Sequence, residues 1–141
     1  LLGYINRSSD KTLKEDIMTY LNETVQTGDW KGEKHVPAIE IKNAKKGEDV
    51  VVKVKVGEEI AHPNTFEHHI AWIKVFFLAE GAKLPVEVAD FNFSAHGEGE
   101  LFTDPAGYAT FKTDKNGTVL AQSYCNIHGL WEDAIELKLE D

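Results

Sequence analysis

Short runs of alternating hydrophobic and polar residues, separated by turn-forming residues, occupy most of the chain. In the run from Val50 to Val56, three valines at every second position form an apolar face, and Lys53 and Lys55 lie on the other face. Further apolar or alternating runs follow at Ile70 to Leu78, Leu84 to Phe93, Tyr108 to Thr113, Thr118 to Tyr124 and Ile135 to Glu140. The pattern predicts an all-β fold, an antiparallel β-sandwich of about seven strands.

Three of these runs carry more specific predictions. The run from Ile70 to Leu78 is apolar at nearly every position, which predicts a central strand covered on both faces. The dipeptide Asn116-Gly117 is a strong tight-turn signal, so the runs on either side of it are expected to pair as a hairpin. The run from Ile135 to Glu140 alternates apolar and charged residues and predicts a closing edge strand.

A different pattern precedes the first strand. Thr12 and Glu15 have the spacing of a capping box, and the apolar residues around them fall on one helical face: Leu13, Ile17, Met18 and Leu21. We therefore expect a short amphipathic helix at 12–23, whose apolar face packs on the domain or on a second subunit. This divides the chain into an N-terminal extension at 1–27 and a β-sandwich domain at 28–141.

The composition narrows the classes of function. The chain has 141 residues, a net charge of -9 and a pI near 5.1, which suits one compact domain and disfavours nucleic acid and anionic membranes as partners. A single cysteine excludes an intrachain disulfide and fits a reducing compartment, so we expect a cytoplasmic protein. The apolar runs are too short for a membrane span, and we expect neither a membrane anchor nor a signal peptide.

The lone cysteine and the histidines are the candidate metal ligands. Cys125 stands three residues before His128, and a thiolate and an imidazole at that spacing can bind one metal ion. The other histidines are His35, His62, His68, His69 and His96. Four of the histidines lie where a predicted strand begins or ends, and a β-sandwich gathers such positions at one end. Because side chains alternate along a strand, only one of the neighbours His68 and His69 is expected to face a common metal.

This donor set restricts the metal. Calcium and magnesium prefer oxygen ligands, and four imidazoles with one thiolate exceed the four ligands of a structural zinc ion. Iron or copper remains from the residues alone. A histidine taken singly is more often a surface or hydrogen-bonded core residue, so the prediction of a metal depends on these residues acting together.

Three segments of the chain resemble those of a known family. They are Glu33-Lys-His-Val-Pro37, the stretch from His62-Pro-Asn-Thr65 to Glu67-His-His-Ile70, and Tyr124-Cys-Asn-Ile-His-Gly-Leu-Trp131. In this order they resemble the signature segments of superoxide reductases of the one-iron neelaredoxin class, which share the iron-binding domain of desulfoferrodoxins. The resemblance covers about residues 28–140. It does not include the cysteine-rich second iron domain of two-iron desulfoferrodoxins, so it implies one iron per chain.

The resemblance implies a mononuclear iron, cycling between Fe²⁺ and Fe³⁺, in a seven-stranded immunoglobulin-like sandwich. Matched position by position, the equatorial ligands are His35, His62, His68 and His128, and the axial ligand is Cys125. His69 and His96 match positions that are not ligands in the family. Glu33 matches the glutamate that can occupy the sixth position of oxidised iron, and Lys34 matches the lysine beside the open site.

The activity implied by the resemblance is the one-electron reduction of superoxide to hydrogen peroxide. Five protein ligands leave one position of an octahedral ion open for a small anion, which is typical of a catalytic site. A thiolate ligand pushes electron density towards the metal, as it does in thiolate-ligated haem. We expect Lys34 to supply positive potential there and a proton for the product. The resemblance also implies an external electron donor such as rubredoxin, and a homo-oligomer, either a tetramer or a dimer.

Three other functions compete with this one. A blue-copper electron carrier also uses cysteine and histidine on a β-sandwich, but its axial ligand is commonly methionine, and the single methionine, Met18, lies far along the sequence from Cys125. A zinc-stabilised binding module would leave at least one candidate ligand without a role. A superoxide dismutase would also have to oxidise superoxide, which an electron-rich thiolate disfavours.

Overall fold

Two antiparallel β-sheets pack against each other in the computed structural model, which describes residues 18–141. In chain order the strands are β1 (Pro37–Asn43), β2 (Val50–Val56), β3 (Ile70–Ala79), β4 (Val86–Asn92), β5 (Ala106–Phe111), β6 (Gly117–Cys125) and β7 (Gly129–Leu137). One sheet has the strand order β1-β2-β5 and the other has the order β4-β3-β6-β7. The prediction of an all-β sandwich of seven antiparallel strands is confirmed.

The core between the sheets is built from alternate residues of the strands. The core-facing valines of β2 are at most 1% exposed, whereas the two lysines between them are half-buried and form ion pairs, Lys53 with Glu58 and Lys55 with Asp104. Strands β3 and β6 contribute further core residues, among them Ile73, Val75, Val119 and Ala121. Burial of one large aliphatic side chain contributes about 1.5–3 kcal/mol, so this alternation fixes which face of each strand points inwards.

Strand β3 is central in its sheet, but only one of its faces is packed on the other sheet. Its buried residues alternate with residues of intermediate exposure, so the predicted coverage of both faces is wrong for the part of the chain that the structure describes. The outward residues cover one another instead. The ring of Trp72 stacks on Tyr124 with centroids 5.8 Å apart, and the ammonium group of Lys74 lies 5.2 Å from the centroid of Trp72.

The predicted hairpin at Asn116-Gly117 is also wrong. Strand β5 pairs with β2, whereas β6 pairs with β3 and β7, so the connection between β5 and β6 crosses from one sheet to the other. A two-residue turn of the expected type needs positive φ at both central residues, and neither Asn116 nor Gly117 has it. Gly117 serves a close approach of two strands, because a Cβ atom there would collide with the carbonyl oxygen of Leu78.

The segment before β1 lies along the edge of the four-stranded sheet. Of the helix predicted at 12–23, residues 12–17 lie outside the described residues, and the remainder contains a 3₁₀ turn at Leu21–Glu23. Gln26 forms a parallel bridge to Trp131 and so adds one short pairing to the outer edge of β7. Across residues 18–141, no helix has the length and apolar character needed to cross a membrane.

Candidate metal centre

The candidate ligands come from the ends of strands in both sheets. His35 immediately precedes β1, His62 follows β2, His68 precedes β3, Cys125 ends β6, and His128 lies in the turn between β6 and β7. The β1 and β2 positions belong to the three-stranded sheet, and the other three belong to the four-stranded sheet. The sandwich therefore brings five residues from distant segments to one end of the fold.

The turn between β6 and β7 places the cysteine beside one histidine. Cys125 and Gly129 are register partners, so only residues 126–128 form the turn. Gly129 has a φ of 82°, which glycine adopts readily because it has no Cβ atom. This conformation allows the tight connection between the two strands. The backbone N–H of His128 donates a hydrogen bond of 3.3 Å to Sγ of Cys125. Such a donor stabilises a thiolate, which is the form of cysteine that binds metal.

The connection between β2 and β3 carries three histidines, of which His62 and His68 belong to the candidate site, and it has no strand of its own. Near its end, the backbone groups of Thr65 and His68 bond to each other, which forms a small turn around Phe66 and Glu67. Asn126 ties this turn to the cysteine segment, because its Nδ2 donates to the carbonyl of Glu67 and its Oδ1 accepts from the N–H of His69. The side chain next to Cys125 therefore sets the position of the segment that carries His68.

The ligand atoms converge on one point. The ligand atoms of His35, His62, His68 and Cys125 all lie within 4.8 Å of one another. Nδ1 of His128 lies 3.1 Å from Nε2 of His35, 3.2 Å from Nε2 of His68 and 3.7 Å from Sγ of Cys125. The sulfur is also 3.6 Å from Nε2 of His62. Four imidazole nitrogens and one sulfur thus surround a space of the size of one metal ion.

The four imidazole rings form a closed cycle. Neighbouring ring centroids are 4.7 Å apart for His35 and His62, 4.7 Å for His62 and His68, 4.9 Å for His68 and His128, and 4.7 Å for His128 and His35. Across the cycle, the centroids of His35 and His68 are 6.4 Å apart. These four rings, together with the sulfur of Cys125, are the residues that would hold a single metal ion.

Hydrogen bonds on the outer nitrogens fix which nitrogen of two rings faces the centre. Nδ1 of His62 donates to the carbonyl oxygen of Pro63 at 2.7 Å, and Nδ1 of His35 donates to the carboxylate of Glu33 at 2.6 Å. Each of these bonds places the ring proton on the outer nitrogen. The lone pair of Nε2 then points inwards, which is the tautomer that a metal requires.

The electrostatics also favour neutral imidazoles. Burial lowers the pKa of His62 from 6.5 to about 4, because the charged ring loses hydration. The pKa of His68 is lowered as well, first by burial and then by the neighbouring His128. The pKa of Glu33 is lowered chiefly by its hydrogen bond with His35, so the carboxylate is ionised. Near neutral pH, His62 and His68 are therefore uncharged, which is the state in which imidazole binds a metal.

Glu33 and Lys34 lie beside the cluster. The Oε1 atom of Glu33 accepts from both Nδ1 and the backbone N–H of His35, so this carboxylate is bound to a ring of the cluster. Lys34 is half-buried, and its positive charge contributes to the lowered pKa values of Glu33, His62 and His68. Lys34 therefore makes the electrostatic potential at the candidate site more positive, although the protein as a whole is acidic.

The remaining two histidines lie apart from the cluster. The rings of His69 and His96 stack on each other, with centroids 3.6 Å apart and planes 7° apart. Nδ1 of His69 donates to the carbonyl of Thr65, and both nitrogens of His96 have their own partners in Asn64 and Phe93. The structure thus places His68 in the cluster and its neighbour His69 outside it.

Two residues that contact the cluster were not predicted as site residues. The indole of Trp131 stacks on His35, and its Nε1 donates to the carbonyl oxygen of His128. Gln26 Nε2 donates to the same carbonyl at 2.8 Å. Trp131 stands in the cysteine segment of the sequence, and a sequence signal for it was therefore present. No pattern in the sequence distinguishes Gln26.

A comparison with known protein families identifies the family to which this chain belongs. The sequence model described as desulfoferrodoxin matches residues 27–134, which include all five clustered residues. The chain belongs to the desulfoferrodoxin family. Because the family match spans the segments that contribute the donors, the cluster lies within the family's domain.

Relatives within the desulfoferrodoxin family agree with this assignment. A superoxide reductase from Pyrococcus furiosus is 50% identical over 125 residues, which cover 84% of this chain and 99% of the relative. A neelaredoxin from Megalodesulfovibrio gigas is 46% identical over 123 residues, with 82% and 95% covered. Among solved structures, a superoxide reductase (neelaredoxin) from Archaeoglobus fulgidus in the reduced form has 51% identity and a TM-score of 0.79, covering 83% of this chain and all of its own.

Proposed function

We propose that this protein is a superoxide reductase that uses one mononuclear iron per chain. The reaction combines superoxide, one electron and two protons to give hydrogen peroxide. The observation that carries the proposal is the convergence of four imidazole nitrogens and the sulfur of Cys125 on one point. The Pyrococcus furiosus relative, named superoxide reductase, supports the choice of reaction.

The donor set fits iron. The five donors are nitrogen and sulfur atoms without a carboxylate among them, which disfavours calcium and magnesium. They outnumber the ligands of a structural zinc site and leave a six-coordinate ion one position for a small anion. When bound there, iron supplies the transferred electron by passing from the ferrous to the ferric state. The proposed ligands are His35, His62, His68, His128 and Cys125.

The surrounding residues prepare these ligands for that task. The bonds from His62 to Pro63 and from His35 to Glu33 hold two rings in the metal-binding tautomer. The N–H of His128 supports the negative charge of the Cys125 sulfur. Removing the hydrogen bond on the outer nitrogen of a metal-binding histidine typically weakens metal binding about 10–100-fold, so these contacts matter for function.

Lys34 and Glu33 have separate proposed roles. The positive charge of Lys34 attracts the superoxide anion and compensates for a net protein charge of -9. Its ammonium group is also a proton source for the peroxide product. Glu33 is the proposed sixth ligand of the oxidised metal. Its Oε1 atom is bound to His35 here, so this role would require either the second oxygen, Oε2, or release of Oε1 from His35.

Several wider properties belong to the same proposal. The electron donor is an external one-electron carrier such as rubredoxin, and the protein is a cytoplasmic homo-oligomer, either a tetramer or a dimer. Residues 28–141 form the iron-binding domain, and residues 1–27 are an extension to it. Lineage with desulfoferrodoxins supports the domain assignment, since the family match begins at residue 27.

The test mixes the ferrous-loaded protein with superoxide under anaerobic conditions and measures iron oxidation, peroxide and dioxygen together. A superoxide reductase forms one peroxide for each iron oxidised, releases no dioxygen, and stops until a donor is added. A dismutase continues without a donor and releases one dioxygen for each peroxide. Dioxygen release with continued turnover would contradict the proposal.

A further inference from the structure

His96 is a buried histidine that the proposed reaction does not use. It is 6% exposed and lies in the connection between β4 and β5, outside the ligand cluster. Its Nδ1 lies 2.8 Å from Oδ1 of Asn64, and its Nε2 lies 2.8 Å from the carbonyl oxygen of Phe93. Both oxygens are acceptors, so the ring donates both bonds in the form that carries a hydrogen on each nitrogen. Buried imidazoles with partners on both nitrogens are firmly held, so His96 is a rigid point in this part of the fold.

Asn64 links this rigid point to the ligand-bearing connection. It stands two residues after His62, and its Nδ2 donates to the carbonyl of Thr103 at 2.8 Å. That bond fixes the orientation of the amide, because Oδ1 must then face the N–H of His96. The side chain of Asn64 is therefore clamped between His96 and the backbone before β5.

His96 also contacts the other end of the same connection. Its ring stacks on His69 with centroids 3.6 Å apart, and His69 directly follows His68. The connection from 57 to 69 has no strand to hold it in register, yet it supplies two ligands. One buried ring thus touches a neighbour of each of those ligands.

We propose that His96 is a positioning residue that holds His62 and His68 at the spacing the metal requires, acting through Asn64 and His69. The proposal rests on the proposed function, because it assumes that both residues are ligands. It assigns no chemistry to His96 itself. It predicts that the bond from Nδ1 to Asn64 matters more for the site than the bond from Nε2 to Phe93.

Two variants separate these bonds. In His96→Asn, the side-chain amide reaches the place of Nδ1 and can still donate to Asn64. In His96→Gln, the amide reaches the place of Nε2 and can donate only towards Phe93. The two variants remove the same ring and its stacking on His69, so a difference between them reports the tie to Asn64.

The experiment titrates metal-free wild type and variants with cobalt(II) against a chelator and records the cobalt d–d and thiolate charge-transfer bands. We expect His96→Gln to raise the dissociation constant by about tenfold or more and to shift the d–d bands. We expect His96→Asn to recover most of both properties. Asn64→Ala should have a smaller effect in the His96→Gln background than in wild type, because the tie between the two residues is then already absent and only the bond from Asn64 to Thr103 is lost.

Val119→Ala is the matched control for loss of stability alone. Val119 is fully buried in β6, near the end of that strand remote from Cys125. This variant should lower the unfolding midpoint and leave the cobalt spectrum unchanged. If Val119→Ala shifts the bands as His96→Gln does, or if His96→Asn is as impaired as His96→Gln, the positioning role is wrong.

The same titration distinguishes failure of this inference from failure of the proposed function. A wild-type cobalt spectrum without a thiolate band would overturn the proposed ligand set and the role of His96 together. A wild-type spectrum with that band, matched by an identical spectrum and dissociation constant in His96→Gln, would overturn the role of His96 only.

Discussion

The indole of Trp131 lies flat on the imidazole of His35, with ring centroids 4.9 Å apart and planes 14° apart. The same indole donates from Nε1 to the carbonyl oxygen of His128 at 3.2 Å. His35 and His128 are 93 positions apart in the sequence, and Trp131 contacts both. A single side chain that is 9% exposed therefore contacts one candidate ligand from each sheet and holds the two in place relative to each other.

Replacing Trp131 tests this relation. Trp131→Phe retains a flat ring against His35 and loses the N–H, while Gln26 still donates to the carbonyl of His128. We expect a small change in metal affinity for Phe and a loss of about tenfold for Trp131→Leu, measured by chelator competition. Trp72→Leu, on the outer face of the four-stranded sheet, is the control. Equal losses in Trp131→Leu and Trp72→Leu would show that the contact with His35 has no special effect.

Glu33 can be separated into an orienting role and a ligand role. Glu33→Gln keeps an oxygen that accepts from Nδ1 of His35, whereas Glu33→Ala keeps none. We expect both variants to alter the visible spectrum of the oxidised protein, because neither has a carboxylate ligand. Only Glu33→Ala should lower metal affinity, by about tenfold, since His35 loses its partner. An oxidised spectrum of Glu33→Gln identical to that of wild type would exclude ligation by the carboxylate.

Lys34 should act on the rate rather than on the metal. Lys34→Ala removes a positive charge near His62 and His68, so the second-order rate with superoxide should fall about three- to tenfold at low ionic strength. The difference should shrink as salt is added, because mobile ions screen the charge. Lys115→Ala removes the same charge at the opposite end of β6 and serves as the control. Stopped-flow rates at two salt concentrations would show whether Lys34 matters through its charge.

Cys125 should determine the colour of the oxidised protein. Cys125 is fully buried, and its sulfur lies 3.6 Å from His62 and 3.7 Å from His128. We expect the oxidised iron protein to show a sulfur-to-iron charge-transfer band that Cys125→Ser lacks. Iron content, measured on the same samples, distinguishes a lost sulfur ligand from a lost metal. A band that persists in an iron-loaded Cys125→Ser protein would mean that the sulfur is not a ligand.

The lowered pKa of His62 predicts how the metal-free protein responds to acid. Its pKa is 6.5 ordinarily and about 4 here, chiefly because of burial. As the pH falls from 6.5 towards 4, the unfolded chain binds a proton at this residue that the folded chain excludes. The free energy of unfolding therefore decreases over this window, and below it His62 causes no further change with pH.

Urea unfolding of metal-free wild type and His62→Gln would measure this contribution. The difference in stability between the two proteins should become less favourable to wild type as the pH falls from above 6.5 to about 4. The subtraction removes the carboxylates and the other histidines, which titrate in both proteins. A difference that stays constant over the window would contradict a lowered pKa at His62.

The sequence predicted the strands well because burial acts locally on each of them. The alternation of valines and lysines in β2 follows directly from one face being buried, and the predicted run coincides with Val50–Val56. Pairing between strands is a long-range property, and here the local signal misled. Asn116-Gly117 resembles a hairpin turn, but β5 and β6 do not pair with each other. Strand β5 pairs with β2 and β6 pairs with β3, and both partners lie far from this turn in the sequence.

The candidate site shows the same division. Its five donors could be predicted from the sequence because cysteine and histidine are few and occur in recognisable segments. The contacts that hold them could not, since Gln26, Asn64 and His96 have no pattern that reveals their partners. Such partners depend on side-chain orientation across segments up to 102 positions apart, as for Gln26 and His128.

The five donors come from both sheets, and this has a consequence for the stability and turnover of the protein. His35 and His62 extend from one sheet, and the sulfur and the other two imidazoles extend from the other. An ion bound by all five would cross-link the two sheets, as a disulfide does in many secreted β-sandwich proteins. A cross-link that closes a loop of this length adds on the order of 4 kcal/mol to the free energy of unfolding. Iron starvation would then loosen the fold and hasten its degradation, so that cellular abundance would follow iron supply.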